Sequence, residues 1–241
     1  MKRLLPFLIL LCCATFSFAL TAADVLTRAR LTLRDTSSDV VRQRFSDAQL
    51  LNWLNDGQRE ANANNLILQS SSTITLVAGT TEYVLPLDFL TTWRVTLNNI
   101  KLPQTNWNEQ DANSVGWQKS SNGIPLRYYI YYAPTPTIGF IPAPSSTYVT
   151  QSMPTAKVWY IQQSVDLTSV SQVPYNGWVQ LQPYISDLSY YVTYRGLWAI
   201  GDMDQAQQYF LEWQASLGTM KTSIGKQPDF NPGFGGNRTG P

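Results

Sequence analysis

Apolar positions fall three and four apart near both ends of the chain and two apart through its middle. These are the signatures of amphipathic helix and half-buried strand. The first helix is predicted to open at Thr21, an N-cap with Asp24 three residues on, and with Leu20 and Val25 as a hydrophobic staple. Ala22, Leu26, Ala29 and Leu33 form its packing face, while Arg28, Arg30 and Arg34 project elsewhere. A polar link, Asp35 to Arg44, leads to a second helix opened by Ser46 with Gln49 at the same offset, and Phe45 and Leu50 repeat the staple. Leu50, Leu54 and Ala61 lie along one side with Leu51 beside them, and Trp53 reads as helix packing. Asn62, Asn64 and Asn65 mark the stop.

From Ser70 the period is two. Thr73 to Val77 and Tyr83 to Leu85 flank a loop containing Gly79, a hairpin signal. Trp93 to Leu97 is a third strand, with Ile100 to Leu102 returning along it across Asn98-Asn99. Asn106 to Val115 is a polar loop or short helix. Arg127 to Tyr132 is the strongest strand, paired with Thr137 to Ile141, and Lys157 to Ile161 is another. Prolines cluster at strand ends, where a missing ladder donor does least harm.

Helical spacing returns at 184–200 through Ile185, Leu188, Val192, Gly196 and Ala199, with Tyr184, Tyr191 and Trp198 as a second, aromatic stripe. Gly201 breaks that helix, and Asp202 caps the next with Gln205 at N3. Ala206, Phe210, Trp213, Leu217, Met220 and Ile224 form a long seam. The expected class is therefore α+β: helix pairs at 20–69 and 179–225 forming one four-helix bundle, with an antiparallel β domain at 70–178 inserted between them. Residues 226–241 are Gly/Pro-rich and aperiodic, and read as a flexible arm. Residues 1–19 read as a signal-peptide-like leader: Lys2 and Arg3, an apolar run from Leu4 to Phe16, and the small-x-small site Ser17-Phe18-Ala19.

Composition narrows the chemistry. The 241 residues contain no His, and the only cysteines, Cys12 and Cys13, lie inside the leader. Catalytic Ser-His-Asp and Cys-His sets, His-based metal sites and a disulfide scaffold are thereby excluded. Neither a phosphate loop nor a dinucleotide fingerprint is present, and Gly233, Gly235 and Gly236 lie in the arm with no strand before them. Of the acidic pairs, Asp202 and Asp204 are explained by capping and the helix dipole, and Glu109 and Asp111 by solvation of a polar loop. We therefore expect no enzyme, no metal and no cofactor.

Charged residues make up only 14% of the chain, while there are 8 Trp and 13 Tyr, a surface suited to being desolvated against a partner. Beyond the leader 15 bases face 16 acids, which argues against a protein that grips DNA by net charge. Arg28, Arg30, Arg34, Arg42 and Arg44 are interleaved with Asp35, Asp39 and Asp47. That mixture suits salt bridges or a protein partner, so these arginines are candidate interface residues.

The stretch Ala23 to Arg30 with Leu33-Arg34-Asp35, then Phe45-Ser46-Asp47 running on to Trp53-Leu54-Asn55-Asp56-Gly57-Gln58-Arg59-Glu60, resembles the head-to-tail adaptor (connector) proteins of tailed bacteriophages. Tyr83-Val84-Leu85-Pro86, the hairpin from Tyr131 to Pro144, and Gly201-Asp202 between two long helices extend the resemblance over about 20–225. It implies a helical bundle with an inserted β domain, and a structural virion protein assembled in the host cytoplasm. It also implies a ring, generally dodecameric, that docks under the portal protein, lets DNA pass through its lumen without sequence-specific binding, and offers a surface to a tail or nozzle protein. By the same resemblance the arm would reach a neighbour, with Phe230 and Phe234 as apolar anchors. The leader supports a different reading, an exported, β-rich module, periplasmic or secreted, that binds carbohydrate or another surface ligand on Trp and Tyr. The placement of Trp93, Trp107, Trp117 and Trp159 separates the two, since a flat exposed row favours sugar.

Overall fold

The computed structural model describes residues 19–224 except 40, 41, 115, 120, 133 and 153. The leader up to position 18 and the arm, with Phe230 and Phe234, lie outside the described residues.

Helix α1 spans Ala22–Leu33. The Thr21 backbone N–H and hydroxyl both donate to Asp24 Oδ2 at 2.8 Å, and these bonds hold the Asp24 carboxyl below its ordinary pKa. Helix α2 spans Asp47–Asn65, with the Ser46 hydroxyl accepting from Gln49 N at 3.2 Å. Phe45 is buried and meets Trp53 edge to face, ring centroids 5.2 Å apart. The predicted packing faces of both helices are buried.

Toward the C-terminus, α5 (Gln182–Ile185) and α6 (Leu188–Ile200) replace the single helix predicted over 184–200. The break falls at Ser186-Asp187, where Asp187 accepts from the Ser216 hydroxyl at 2.6 Å. Gly201 adopts φ +84° and α7 runs Met203–Ile224, with Asp202 Oδ1 accepting from Gln205 N as expected. Helix α6 packs against α1, α2 and α7, so both ends of the chain enter one core that includes Leu26, Leu54, Val192 and Trp213. A Cβ on Gly196 would lie 2.7 Å from the Leu33 side chain, so the glycine sets how closely α1 approaches α6. Ala199, predicted on the buried stripe, is exposed, because it lies one turn beyond that last contact of α1.

Between the helical ends lie seven strands: β1 (Gln69–Thr75), β2 (Glu82–Val84), β3 (Phe89–Leu97), β4 (Ile100–Lys101), β5 (Arg127–Tyr131), β6 (Thr137–Ile141) and β7 (Thr155–Gln162). They form two antiparallel sheets, ordered β1-β7-β3-β4 and β2-β6-β5. The predicted hairpin between β1 and β2 is not formed. β1 pairs along its whole length with β7, and β2 pairs with β6 in the other sheet. The reason is burial: Leu76 and Leu85, on either side of the connecting loop, enter the core between the sheets with Val95, Val158, Ile138 and Phe140. Tyr83 closes the loop, its hydroxyl accepting from Val77 N and donating to Thr80 O. The β5–β6 hairpin and the β3–β4 return form as predicted. Two short helices, α3 (Trp107–Asn113) and α4 (Ser146–Ser152), complete the elements. Asn106 caps α3 through Glu109 N, which settles the polar segment there as helix.

A row of side-chain amides on α2 joins the helices to the segment leaving β7. Asn55 accepts from Leu167 N at 2.8 Å and donates to Leu167 O at 3.0 Å. Gln58, fully buried, donates to Val165 O at 2.9 Å and accepts from Tyr175 N at 3.1 Å. Asn62 donates to Gln162 O and accepts from Leu68 N, and Asn65 donates to Leu217 O. Positions 55, 58, 62 and 65 share one helical face. At 55, 58 and 62 the amides act as a strand edge would, supplying donors and acceptors to irregular backbone, while Asn65 ties α2 to α7.

Candidate interaction surfaces

The arginine group divides. Arg30, predicted to project away from the packing face, turns inward. Its guanidinium, 11% exposed, meets Asp35 Oδ2 and Asp47 Oδ1 at 2.7 Å each and donates to Phe45 O at 2.9 Å. Asp35, whose side chain is 4% exposed, also accepts from the backbone N–H groups of Arg44 and Phe45. Arg30 is thus the bolt between the end of α1 and the start of α2. A buried guanidinium is kept there because three acceptors replace its water. Arg28, Arg34, Arg42 and Arg44 are exposed around the same corner, and Arg42 pairs with Asp39 at 3.4 Å.

The four-stranded sheet has one face in the core and one outside. Opposed residues in an antiparallel register point to the same side. Arg94 and Ser71 flank Trp159, and Thr96 and Thr73 flank Lys157 with Lys101 beyond. The Trp159 ring lies between two cations, Arg94 Cζ at 5.1 Å and Lys157 Nζ at 4.9 Å from its centroid. Trp93, at the bulge of β3, packs 6.4 Å from Trp159. Arg94, Lys101 and Lys157 are exposed, and among the described residues none pairs with a carboxylate. Three cations without an ion-pair partner thus stand among hydroxyls on this face.

The three-stranded sheet carries the second surface. On its outer face Glu82, Gly139 and Tyr129 are in register across β2, β6 and β5. A Cβ at position 139 would come 2.1 Å from Tyr129 Cζ, so the ring lies flat on the strand only because the residue is glycine. The Tyr129 hydroxyl then donates to Glu82 Oε1 at 2.9 Å and that of Tyr131 to Oε2 at 2.7 Å. Burial, and the Glu82 carboxylate beside it, push the Tyr129 phenol well above its ordinary pKa. Trp107 on α3 stands 5.5 Å from Tyr131 and 6.1 Å from Tyr129, and Trp117 stands 5.7 Å from Tyr129. Trp107, Trp117 and Tyr129, with Glu82, Thr81 and Gln118, line a cleft of about 480 Å³, adjoining a smaller groove of about 170 Å³ at Gly79, Asn122 and Pro142.

The acidic pairs weighed above have structural work. Glu109 accepts from the Thr105 hydroxyl at 2.8 Å and pairs with Arg127 at 3.5 Å, and Asp111 accepts from Trp117 Nε1 at 2.7 Å. Asp202 is the cap of α7 and Asp204 lies in its first turn. The four tryptophans form no flat row: Trp117 is buried, Trp107 is 49% exposed beside it, and Trp93 and Trp159 lie half-buried on the other sheet. Neither the cationic face nor the cleft is visible in sequence order. The available signals were Gly139 inside a strand and basic residues alternating with Trp159.

No helix among the described residues is long and apolar enough to cross a membrane. A search of curated proteins finds no match to the chain. The family model described as SU10 adaptor protein does match, over residues 20–233, which takes in both helical ends and both sheets. That family comprises structural head-to-tail adaptors of the bacteriophage virion, and the chain belongs to it.

Proposed function

We propose that the protein is the subunit of an adaptor ring that docks beneath the portal, continues the DNA channel and presents the tail attachment surface. The observation that carries this reading is the unbroken family match across helices and sheets alike. In it the N- and C-terminal helix pairs act as a four-helix unit bearing contacts between neighbours, with Arg28, Arg34, Arg42 and Arg44 at its exposed corner. The arm, with Phe230 and Phe234, reaches a neighbouring subunit or the portal. Each subunit then meets two others through heterologous contacts that close the ring, a dodecamer in this reading. The outer face of the four-stranded sheet is turned to the passing DNA. Arg94, Lys101 and Lys157 meet phosphates there without reading bases, alongside the hydroxyls of Ser71 and Thr73. The work is geometric: a bore of fixed width and two docking faces. The half-buried, divided placement of the tryptophans gives the exported carbohydrate binder no stacking platform.

Quantitative mass spectrometry of purified virions tests the reading. One copy per portal subunit is the expected result. Absence from particles, with the protein recovered in a periplasmic or secreted fraction, overturns it. The DNA-facing role has its own measurement. Replacing Arg94, Lys101 and Lys157 by Gln should lower the salt dependence of duplex binding by a slope of about 3 per subunit, independently of sequence.

A further inference from the structure

We propose that the aromatic cleft over the three-stranded sheet binds an organic cation, the guanidinium or ammonium group of an arginine or lysine side chain offered by a partner protein. The inference stands on the cleft itself and does not require a ring. Glu82 is a carboxylate on the cleft lining with one phenol hydroxyl on each oxygen. Two carboxylate oxygens offer about four acceptor sites, so half of that capacity is left for a donor entering the cleft. Among the described residues no Lys or Arg pairs with Glu82, and Arg127, on the same strand as Tyr129, is spent on Glu109. An uncompensated anion beside the half-exposed Trp107 ring is the chemistry that attracts a cation twice, through the charge and through that ring's face.

The geometry is fixed before binding. Tyr129 is held against Gly139, Trp117 is tethered through its indole N–H to Asp111, and Trp107 rides on a capped helix. A cation arriving there orders little of the protein, which is what makes a small charged group bind measurably. A sugar is served less well. Pyranose stacking needs an open ring face, and Trp117 and Tyr129 are only 7% and 3% exposed. An anion is repelled by Glu82.

The test uses the purified full-length protein and ligand-observed NMR titration at constant ionic strength. The probes are Nα-acetyl-arginine amide, Nα-acetyl-lysine amide, the neutral isostere Nα-acetyl-citrulline amide, and a gluco-oligosaccharide. Arginine and lysine amides are expected to bind in the millimolar range, with citrulline at least fivefold weaker. Glu82→Gln should weaken the arginine probe at least fivefold. Trp107→Ala, on the exposed wall and outside both cores, should do the same while leaving the thermal unfolding midpoint close to that of the wild type. Wild-type affinity weaker than about 50 mM overturns the proposal. So does equal binding of citrulline, or undiminished arginine binding by a folded Glu82→Gln or Trp107→Ala protein. Tighter binding of the oligosaccharide assigns the cleft to carbohydrate instead. None of these outcomes bears on virion copy number, so failure here and failure of the adaptor reading are distinguishable.

Discussion

Replacing Arg30 with methionine isolates the energetics of the α1–α2 corner. Methionine fills much of the aliphatic volume and removes only the charged fork. Three acceptors are then stranded. Asp47 is 66% exposed and regains water, so its share is at most about 1 kcal/mol. Phe45 O loses a buried hydrogen bond, about 1 kcal/mol. Asp35 dominates: 4% exposed, it keeps the two backbone N–H donors of Arg44 and Phe45 but loses its counter-charge. Breaking one side of a buried pair costs about 3–5 kcal/mol, and the two surviving donors place this case near the lower end. We expect about 4–5 kcal/mol in urea denaturation of the full-length protein at pH 7, with an unchanged m-value. Adding Asp35→Asn to Arg30→Met removes the stranded charge, but the amide nitrogen cannot accept from one of the two backbone donors, so the recovery should be about 1 kcal/mol, a coupling that a double-mutant cycle reads directly. A loss below about 1 kcal/mol, or strict additivity of the two changes, would show that the corner is held by packing and that Arg30 is incidental.

Three further outcomes are expected. Gly196→Ala drives a methyl group against Leu33 at 2.7 Å, and should cost about 1–3 kcal/mol in the same denaturation assay by parting α1 from α6. Gln58→Leu leaves Tyr175 N buried without a partner and removes the bond to the part-exposed Val165 O, a loss of about 1–3 kcal/mol. Hydrogen exchange should locate the accompanying opening at 165–175. Burial raises the Tyr128 phenol from 10.0 to about 12. The unfolded chain therefore releases this proton near pH 10 while the folded chain keeps it. This phenol's share of stability is intact below pH 10 and should fall by about 2–3 kcal/mol toward pH 12, alongside losses from other buried phenols such as Tyr129 and Tyr175, followed by phenolate absorbance and thermal melts. Tyr128→Phe should remove only its own share of that slope.

The helix starts were legible because capping is a local code. Thr21 with Asp24, Ser46 with Gln49 and Asp202 with Gln205 each state a boundary within four residues, and each is made in the structure. Strand pairing is not local. Glycine in the loop before Glu82 suggested a hairpin, yet the partner of β1 is β7, far along the chain, chosen by the burial of Leu76 and Leu85 between two sheets. Arg30 shows the same limit. Spacing set it off the packing face, whereas the structure buries it, because Asp35 and Asp47 bend over it once the link between the helices has folded back. Of the cleft, the aromatic run Tyr128 to Tyr131 was evident as strand. That Gly139 would make a floor of Tyr129, and that Glu82 would stand beside it, depended on a register across three strands.

The amide row on α2 has a consequence for how the protein responds to salt. Charge pairs on a protein surface weaken as counterions crowd around them, since screening at high ionic strength shortens their reach to a few ångströms. The join between the helices and the segment leaving β7 uses Asn55, Gln58 and Asn62, all uncharged, against backbone groups that are uncharged as well. Among the described residues only the exposed Arg59–Asp166 pair, at 2.7 Å beside them, is open to screening, so most of the cohesion of the join is independent of the ionic atmosphere. Salt that loosens contacts made by exposed arginines therefore leaves the helices and the segment leaving β7 fastened to each other.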